Sequence, residues 1–234
     1  MKKLLYISLI FNALFFGSIA FALLKIGSPR YLLALIKNHG NGIVSLKKSK
    51  TSHLKTLPIQ EGKIVMLGNS ITAEGVWSEL LQNPDIINRG VIGDGTSDIL
   101  ERLDPIIAAK PRKIFLLIGV NDLLFTPLSK IEENYEKIVS RIVTETPTTQ
   151  LYLESVLPIH NDLRRNGMKN EDIDALNKAI EQLANKYHLT YIDLNSKLKN
   201  REESLQTELS LDGIHLNGEG YLILKKNLEA FINN

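Results

Sequence analysis

Cysteine is absent from the 234 residues, so the chain forms no disulfide, no thiolate metal site and no cysteine nucleophile. Acidic residues are absent from residues 1–60, where nine Lys and Arg residues lie. All 26 Asp and Glu residues therefore lie in residues 61–234, where they outnumber the basic ones. An acidic domain is unsuited to binding nucleic acid, whereas a basic segment beside an apolar one suits an anionic membrane surface.

Charge is also absent from the longest apolar run, Leu4–Leu24, which lies between Lys3 and Lys25. About 20 apolar residues are enough to cross a bilayer as a helix. We therefore predict a transmembrane helix in residues 1–25, a signal anchor of a single-pass membrane protein whose catalytic domain is exported, to the periplasm or the cell exterior. A cleaved signal peptide is the alternative, because Ala20-Phe21-Ala22 has the small-x-small pattern of a cleavage site.

A basic linker is predicted for residues 26–60. Within it, Ser45–Thr56 is polar and basic, and we expect it to be flexible. Pro58 and Gly62 are turn formers, and they mark the entry to a single domain at residues 61–234. A domain of this length can bury one hydrophobic core.

Short apolar runs alternate with helical patterns along this domain. The predicted strands are Lys63–Leu67, Asp85–Asn88, Lys113–Ile118, Gln150–Val156 and Thr190–Leu194, and the longer helices are Thr96–Ala109, Ile131–Thr144, Ile173–Tyr187 and Gly220–Ile232. Pro105 should bend the first of these helices or end it early. The alternation predicts an α/β fold with a five-stranded parallel sheet covered on both faces, as in flavodoxin-like proteins. Ligands of such sheets bind at the carboxyl ends of the strands.

Ser70 is a candidate nucleophile, because it follows the first predicted strand and Gly68. A serine at this place can also simply cap the next helix. Nucleophilic catalysis needs a base, and His215 offers one, with Asp212 three residues earlier to orient its ring. An Asp-x-x-His pair alone is more often a surface pair, so it does not identify a site by itself.

Gly93 and Asn121 are candidates for binding an oxyanion. Asn121 follows the third predicted strand, and its side-chain amide can donate a hydrogen bond to a developing negative charge. Gly93 can offer a backbone N–H where a side chain would obstruct the substrate. Each of the two residues, taken alone, is equally typical of an ordinary turn.

Four blocks in a fixed order carry a family resemblance. They are Val65–Thr72 (VMLGNSIT), Asn88–Gly95 (NRGVIGDG), Ile118–Asp122 (IGVND) and Asp212–Asn217 (DGIHLN). The set resembles the SGNH hydrolases, also called GDSL esterases or lipases. It looks most like the branch of the platelet-activating-factor acetylhydrolase catalytic subunits and bacterial lysophospholipase-like esterases. The resemblance implies a flavodoxin-like three-layer α/β/α sandwich over residues 61–234.

The resemblance also implies roles for single residues. Ser70, His215 and Asp212 would form a catalytic triad, and Ser70, Gly93 and Asn121 would form the oxyanion hole. One departure from the family pattern is Asn69, where Gly-Asp-Ser is usual. An amide keeps the hydrogen-bonding shape of the carboxylate and loses its charge, so we expect activity to be retained.

The expected function is therefore a serine esterase that hydrolyses carboxylic esters through an acyl-enzyme, without a metal or a cofactor. Its substrate would be a small acyl ester, a lysophospholipid or an acylated carbohydrate. One alternative is an O-acetyl esterase or acetyltransferase that acts on cell-surface carbohydrate. Another is a catalytically inactive binding module on the same fold. The sequence leaves the acyl-chain length and the oligomeric state open.

Overall fold

The computed structural model describes residues 11–12, 14–18, 29–160 and 167–233. The chain divides into two compact units, Met1–Leu46 and Lys47–Asn234. Most of the apolar run Leu4–Leu24 lies outside the described residues, so the transmembrane helix stays a prediction. Within the described ranges, no helix combines the length and the apolarity that crossing a membrane requires.

Five parallel strands form the central sheet, as the alternation predicted. They are β1 (Ile64–Gly68), β2 (Ile86–Gly90), β3 (Lys113–Leu117), β4 (Gln150–Glu154) and β5 (Thr190–Ile192). Their spatial order is β2-β1-β3-β4-β5, and every neighbouring pair is parallel. The chain moves outward from β1 to β2 and then returns to the other side of β1. The strand order thus reverses between β1 and β3, and ligands of open α/β sheets bind at such a point.

Helices connect these strands and cover both faces of the sheet. They are α1 (Pro29–Thr56), α2 (Ser70–Glu74), α3 (Trp77–Leu80), α4 (Thr96–Glu101), α5 (Asp104–Ala108), α6 (Leu128–Glu145), α7 (Asn170–Lys186), α8 (Asn195–Leu198) and α9 (Gly218–Asn233). Short 3-10 turns lie at Asp122–Leu124 and Thr207–Leu209.

Two apolar clusters lie on opposite faces of the sheet, because successive strand residues point to opposite sides. Val65 and Leu67 belong to the cluster that includes residues of α4 to α7. Ile64 and Met66 belong to the cluster that includes residues of α2, α3 and α9. Two helical layers around a buried sheet confirm the predicted three-layer α/β/α sandwich.

The prediction of a flexible linker at Ser45–Thr56 was wrong, because this segment is the carboxyl-terminal part of α1. Neither glycine nor proline interrupts residues 43–57, so the backbone can continue as a helix. Leu54 lines a small cavity together with Ile106 of α5, which gives the segment an apolar contact with the domain. The compact unit that contains the sheet begins at Lys47 and the family model's match begins at residue 66, so the domain boundary near residue 61 stays a prediction.

The predicted helix Thr96–Ala109 is two helices, α4 and α5. Pro105 lies in the first turn of α5, where its missing N–H leaves no backbone hydrogen bond unmade. The first helix ends early, as predicted, and Pro105 lies at the start of a second helix that the sequence had not indicated.

Candidate active site

Ser70 is the first residue of α2, and only Asn69 separates it from β1. Gly68 ends that strand, and a Cβ at this position would lie 2.2 Å from Thr72 Oγ1 and 2.3 Å from the carbonyl oxygen of Leu117. Glycine therefore allows α2 to turn back closely over the end of the sheet. Ser70 consequently lies at the carboxyl edge of the sheet with 6% of its surface exposed.

Both ends of the short helix α2 are capped by asparagine side chains. Asn69 accepts a hydrogen bond at Oδ1 from the backbone N–H of Ile71, at 3.0 Å. At the other end, Asn88 Nδ2 donates to the carbonyl oxygens of Thr72 and Gly75, at 2.8 and 3.0 Å. These bonds satisfy backbone groups that a helix of five residues cannot pair internally, so the Ser70 position is fixed from both sides.

Ser70, His215 and Asp212 form one continuous hydrogen-bonded chain. His215 Nε2 lies 3.0 Å from Ser70 Oγ, and His215 Nδ1 lies 2.7 Å from Asp212 Oδ2. The contact joins residues 145 positions apart in sequence. It places a base on the hydroxyl group and a carboxylate on the far side of that base, which is the arrangement that activates a serine.

Asp212 is ionised at neutral pH. Burial favours its protonated form, but hydrogen bonds from the backbone N–H and ring of His215, and from the backbone N–H of Ile214, outweigh that effect. Together they lower the pKa of Asp212 from 3.8 to about 2. A permanent negative charge beside Nδ1 selects the tautomer in which Nε2 can accept the Ser70 proton.

Gly93 lies in the turn after β2 and adopts a left-handed conformation, with φ of 78°. The next residue, Asp94, donates its backbone N–H to the carbonyl oxygen of Val91 at 3.2 Å. Its own carbonyl oxygen accepts a hydrogen bond from Asn121 Nδ2 at 2.9 Å. The Asn121 side chain and the Gly93 turn are therefore held together, and one of the two amide N–H groups of Asn121 is used to do so.

A buried ion pair ties this turn to the end of β1. Arg102 Nε donates to Asp94 Oδ2 at 2.7 Å, and Arg102 Nη2 donates to the carbonyl oxygen of Gly68 at 3.1 Å. The backbone N–H of Val91 donates to the same carbonyl oxygen at 3.0 Å. Burial raises the pKa of Asp94, and the charge of Arg102 works against that shift. The Gly68 carbonyl group, two residues before Ser70, thus links the segment of the Gly93 turn to the segment of Ser70.

The carboxylate of Asp122 holds the next segment of the same edge. It accepts hydrogen bonds from the backbone N–H and the hydroxyl group of Thr96, and its Oδ1 lies 2.9 and 2.6 Å from these two donors. Thr96 begins α4, so Asp122 caps that helix from a distant part of the chain. Two successive residues, Asn121 and Asp122, therefore hold this part of the chain: Asn121 bonds to Asp94 and Asp122 bonds to Thr96.

The family model of the GDSL-like lipase/acylhydrolase family matches residues 66–223, which is more than half of the chain. The chain belongs to this family. The match spans the segments that contain Ser70, Gly93, Asn121, Asp212 and His215, and it leaves α1 outside.

Members of the GDSL-like family and their relatives resemble this chain over most of its length. Platelet-activating factor acetylhydrolase IB subunit alpha2 from Rattus norvegicus is 26% identical over 67% of this chain and 68% of its own. N-acylneuraminate cytidylyltransferase from Streptococcus agalactiae is 25% identical over 74% of this chain, which spans only 40% of that enzyme. Among solved structures, a Streptococcus pneumonia protein provisionally described as a platelet activating factor is 28% identical, with a TM-score of 0.76, covering 86% of this chain and 99% of its own. A lipase/acylhydrolase from Enterococcus faecalis shares the fold, with 24% identity, a TM-score of 0.64, and coverage of 73% of this chain and 95% of its own.

The GDSL-like signature departs from its usual form at Asn69, and the geometry shows what the amide does. Asn69 is fully buried, and its Oδ1 caps the helix that begins with Ser70. A carboxylate oxygen would accept the same hydrogen bond, so the exchange of Asp for Asn keeps this cap. Asn69 Nδ2 has no hydrogen-bond partner among the described residues.

The structure brings the predicted residues Ser70, His215 and Asp212 together, and several residues that the sequence did not point to hold the surrounding turns. Asn88 and Arg102 contact the turns of Ser70 and Gly93, but neither stands out by residue type or spacing. Ser210 is another such residue. Its Oγ accepts a hydrogen bond from the backbone N–H of Gly213, at 2.9 Å, within the turn that contains Asp212 and His215. A signal for Asn88 existed, since it lies within one of the four sequence blocks.

His160 contacts the segments that lie next to Asp212 and His215. Its backbone N–H donates to the carbonyl oxygen of Gly213 at 2.8 Å, and its Nε2 lies 2.9 Å from Thr207 Oγ1. Across the described part of the chain, no three His, Asp or Glu side chains lie together in a way that could hold a metal ion.

Proposed function

We propose that the domain is a carboxylic ester hydrolase in which Ser70 is the nucleophile, His215 the base and Asp212 the residue that orients the base. The hydrogen-bonded chain from Asp212 Oδ2 through the His215 ring to Ser70 Oγ, at 2.7 and 3.0 Å, carries this proposal. Membership of the GDSL-like lipase/acylhydrolase family supports the same type of reaction.

The first half of the reaction acylates Ser70. His215 Nε2 takes the hydroxyl proton while Ser70 Oγ attacks the ester carbonyl carbon, and the carbonyl oxygen becomes an oxyanion. His215 then gives that proton to the departing alcohol oxygen as its bond to carbon breaks. The product alcohol leaves, and the acyl group remains on Ser70 Oγ as a new ester.

The second half repeats these steps with water. His215 removes a proton from a water molecule, whose oxygen attacks the acyl carbon, and the bond to Ser70 Oγ breaks with return of the proton to Ser70. The free acid is released and the enzyme is restored. Asp212 stabilises the imidazolium in both halves, because its pKa of about 2 keeps it charged throughout.

Three donors would stabilise the oxyanion in this scheme. They are the backbone N–H groups of Ser70 and Gly93 and the Asn121 side chain. The contact between Asn121 Nδ2 and the Asp94 carbonyl oxygen uses one amide hydrogen, so the second is the one that would donate to the oxyanion. Such donors lower the barrier because they are already oriented before charge develops.

Asn121→Ala should lower kcat by about 10²–10³-fold, the usual cost of losing one oxyanion donor. KM should change little, because the donor acts mainly on the transition state. Steady-state hydrolysis of p-nitrophenyl acetate measures both constants, with Asn185→Ala, an exposed helical position, as the matched control. Wild-type kcat in Asn121→Ala, at an unchanged melting temperature, would remove Asn121 from the oxyanion hole.

We infer a short acyl group as the part of the substrate that Ser70 receives. The name of one relative, the platelet-activating factor acetylhydrolase subunit, supports this inference. Leu211, beside Asp212, and Phe125, near Asn121, are 91% and 88% exposed, so apolar surface lies close to both site residues in sequence. We propose an amphiphilic alcohol such as a lysophospholipid on the leaving-group side, which these two exposed side chains would contact.

Hydrolysis of p-nitrophenyl acetate, butyrate and octanoate by the purified full-length chain tests the activity and the acyl preference together. We expect acetate or butyrate to be preferred, and mass spectrometry should locate a fluorophosphonate adduct on Ser70. Preference for octanoate would overturn the short-acyl inference. If acetate is preferred, acetylated sugars are the next substrates to measure, because their hydrolysis would favour the O-acetyl esterase alternative. Failure of both hydrolysis and labelling would favour the inactive binding module.

We also propose that the run Leu4–Leu24 anchors the chain in a membrane, with the catalytic domain on the exported side. The uncharged length of the run supports the anchor, and the signal-like start, Lys2 and Lys3 before an apolar run, supports export. Protease treatment of intact cells should release the domain while a cytoplasmic marker stays intact. A domain protected until the cells are lysed would exclude export.

A further inference from the structure

Lys47 contacts the Gly93–Gly95 turn, which contains one of the proposed oxyanion donors. It does so from outside the part of the chain that the family model matches. Its Nζ lies 2.6 Å from Asp98 Oδ2, 3.3 Å from the carbonyl oxygen of Gly93 and 3.4 Å from Asp94 Oδ1. The matched residues begin at 66, so Lys47 belongs to none of the four family blocks. The reaction scheme above gives it no role.

The three partners of Lys47 are the groups that define the Gly93–Gly95 turn. Asp94 Oδ2 pairs with Arg102, whereas Asp94 Oδ1 has no hydrogen-bond partner in the described ranges, so Lys47 supplies the neighbouring positive charge. Asp98 Oδ2 accepts the backbone N–H of Gly95 at 2.8 Å. Lys47 therefore links the start of the turn, at the Gly93 carbonyl group, to its end.

Two features of the turn oppose its conformation, and Lys47 acts on both. Gly93 has φ of 78°, and glycine visits many backbone conformations at similar free energy. Asp94 and Asp98 repel each other, since the charge of Asp98 contributes to raising the pKa of Asp94. An ammonium group between the two carboxylates offsets that repulsion and also holds the Gly93 carbonyl group in place.

The segment that carries Lys47 is itself seated on the domain. Arg89 Nη2 donates to the carbonyl oxygen of Leu57 at 3.3 Å, just after α1 ends. Thr51 and Leu54 line a small cavity with Arg102 and Pro105. The side chain of Lys47 is 28% exposed, and it reaches the turn from the part of α1 that belongs to the same compact unit.

We propose that Lys47 is a positioning residue for the oxyanion hole, and this inference rests on the proposed esterase function. By contacting the Gly93 carbonyl group and both carboxylates, it fixes the peptide plane that follows Gly93. This restricts the φ and ψ rotations of Gly93, through which its N–H would otherwise turn away from the oxyanion. Through the Asp94 carbonyl oxygen it also fixes the amide of Asn121, which donates to that oxygen. The segment before the residues that the family model matches thereby contributes to turnover without touching the substrate.

Lys47→Met tests the role in the purified full-length chain, because methionine keeps the apolar stem and removes the charge. We expect kcat to fall about tenfold, less than the loss of a donor, with KM nearly unchanged. Lys47→Arg should restore most of kcat. Raising NaCl from about 0.05 to about 1 M should slow the wild type toward Lys47→Met and leave that variant unaffected, because the ion pairs are partly exposed.

Lys48→Met is the matched control, since Lys48 is the exposed neighbour on the same helix. Equal kcat in Lys47→Met and Lys48→Met would overturn the positioning role, whereas absence of Ser70-dependent hydrolysis in the wild type would defeat the proposed function. Hydrogen exchange of the Ile92–Asp98 peptide separates these cases, because it needs no substrate. Faster exchange in Lys47→Met supports the positioning role even for an inactive chain, and unchanged exchange rejects it.

Discussion

Replacing His215 with alanine should lower kcat for ester hydrolysis by about 10⁴–10⁶-fold, because the variant lacks the base that contacts Ser70 Oγ. At 3.0 Å from Ser70 Oγ, His215 Nε2 is within range to take the proton in the step that forms the acyl-enzyme. Alanine leaves Ser70 protonated at neutral pH, so the nucleophile is far weaker. KM should change much less than kcat, since the ring acts on the proton rather than on binding.

A double variant tests whether Ser70 and His215 act as one unit. Ser70→Ala together with His215→Ala should be about as slow as either single variant, because the second change removes nothing that still functions. Progress curves with p-nitrophenyl acetate measure all three variants, and His53→Ala, at an exposed histidine, is the control. If the two losses multiply, or if His215→Ala keeps more than about a tenth of wild-type kcat, the two residues do not act as a triad.

The sequence identified the strands of the sheet because burial on both faces leaves a strong local pattern. β1 and β3 contain almost nothing but apolar residues, β1 ends at Gly68, and Gly119 follows β3. The residues that follow these strands, Ser70 and Asn121, were therefore assigned to one edge of a parallel sheet before any contact was known. The family blocks then supplied Gly93, His215 and Asp212, which pattern alone could not separate from turn residues.

The contacts that hold the site were not predictable in the same way. Arg102 reaches the Gly68 carbonyl oxygen across 34 positions, and Lys47 reaches the Gly93 carbonyl oxygen across 46. Neither residue has a distinctive spacing, since long side chains can reach many backbone groups. The basic composition of Ser45–Thr56 suggested a solvated tether. In the structure, the carboxylates of Asp94 and Asp98, far along the chain, are ion-pair partners of Lys47.

A further carboxyl group lies at the end of β4, where the chemistry of the site makes no use of it. Glu154 is 2% exposed, and its Oε1 has no hydrogen-bond partner among the residues that the structure describes. Burial raises the pKa of Glu154 from 4.5 to about 8. The folded chain therefore holds this carboxyl group in its neutral form at pH 7, because an unpaired carboxylate in an apolar interior would be far more costly.

This shift makes folding stability fall as pH rises. Between pH 4.5 and about 8 the unfolded chain has lost the Glu154 proton while the folded chain still binds it, so each step up in pH favours unfolding. The stabilisation is complete below the unfolded pKa and is lost by the time pH passes the folded pKa. At about 1.4 kcal/mol per pH unit, the total reaches the order of 3–5 kcal/mol.

Glu154→Gln should remove this pH dependence, because glutamine has nearly the same shape and no proton to lose. The variant and the wild type should unfold in urea with similar free energies near pH 5, and the variant should be more stable by about 3–5 kcal/mol near pH 8. Glu202→Gln, at an exposed position, should follow the wild type at every pH. Parallel stability curves for Glu154→Gln and the wild type would mean that Glu154 ionises in the folded chain as easily as in the unfolded one. A gap that opens with rising pH instead assigns the loss of stability to this single buried carboxyl group.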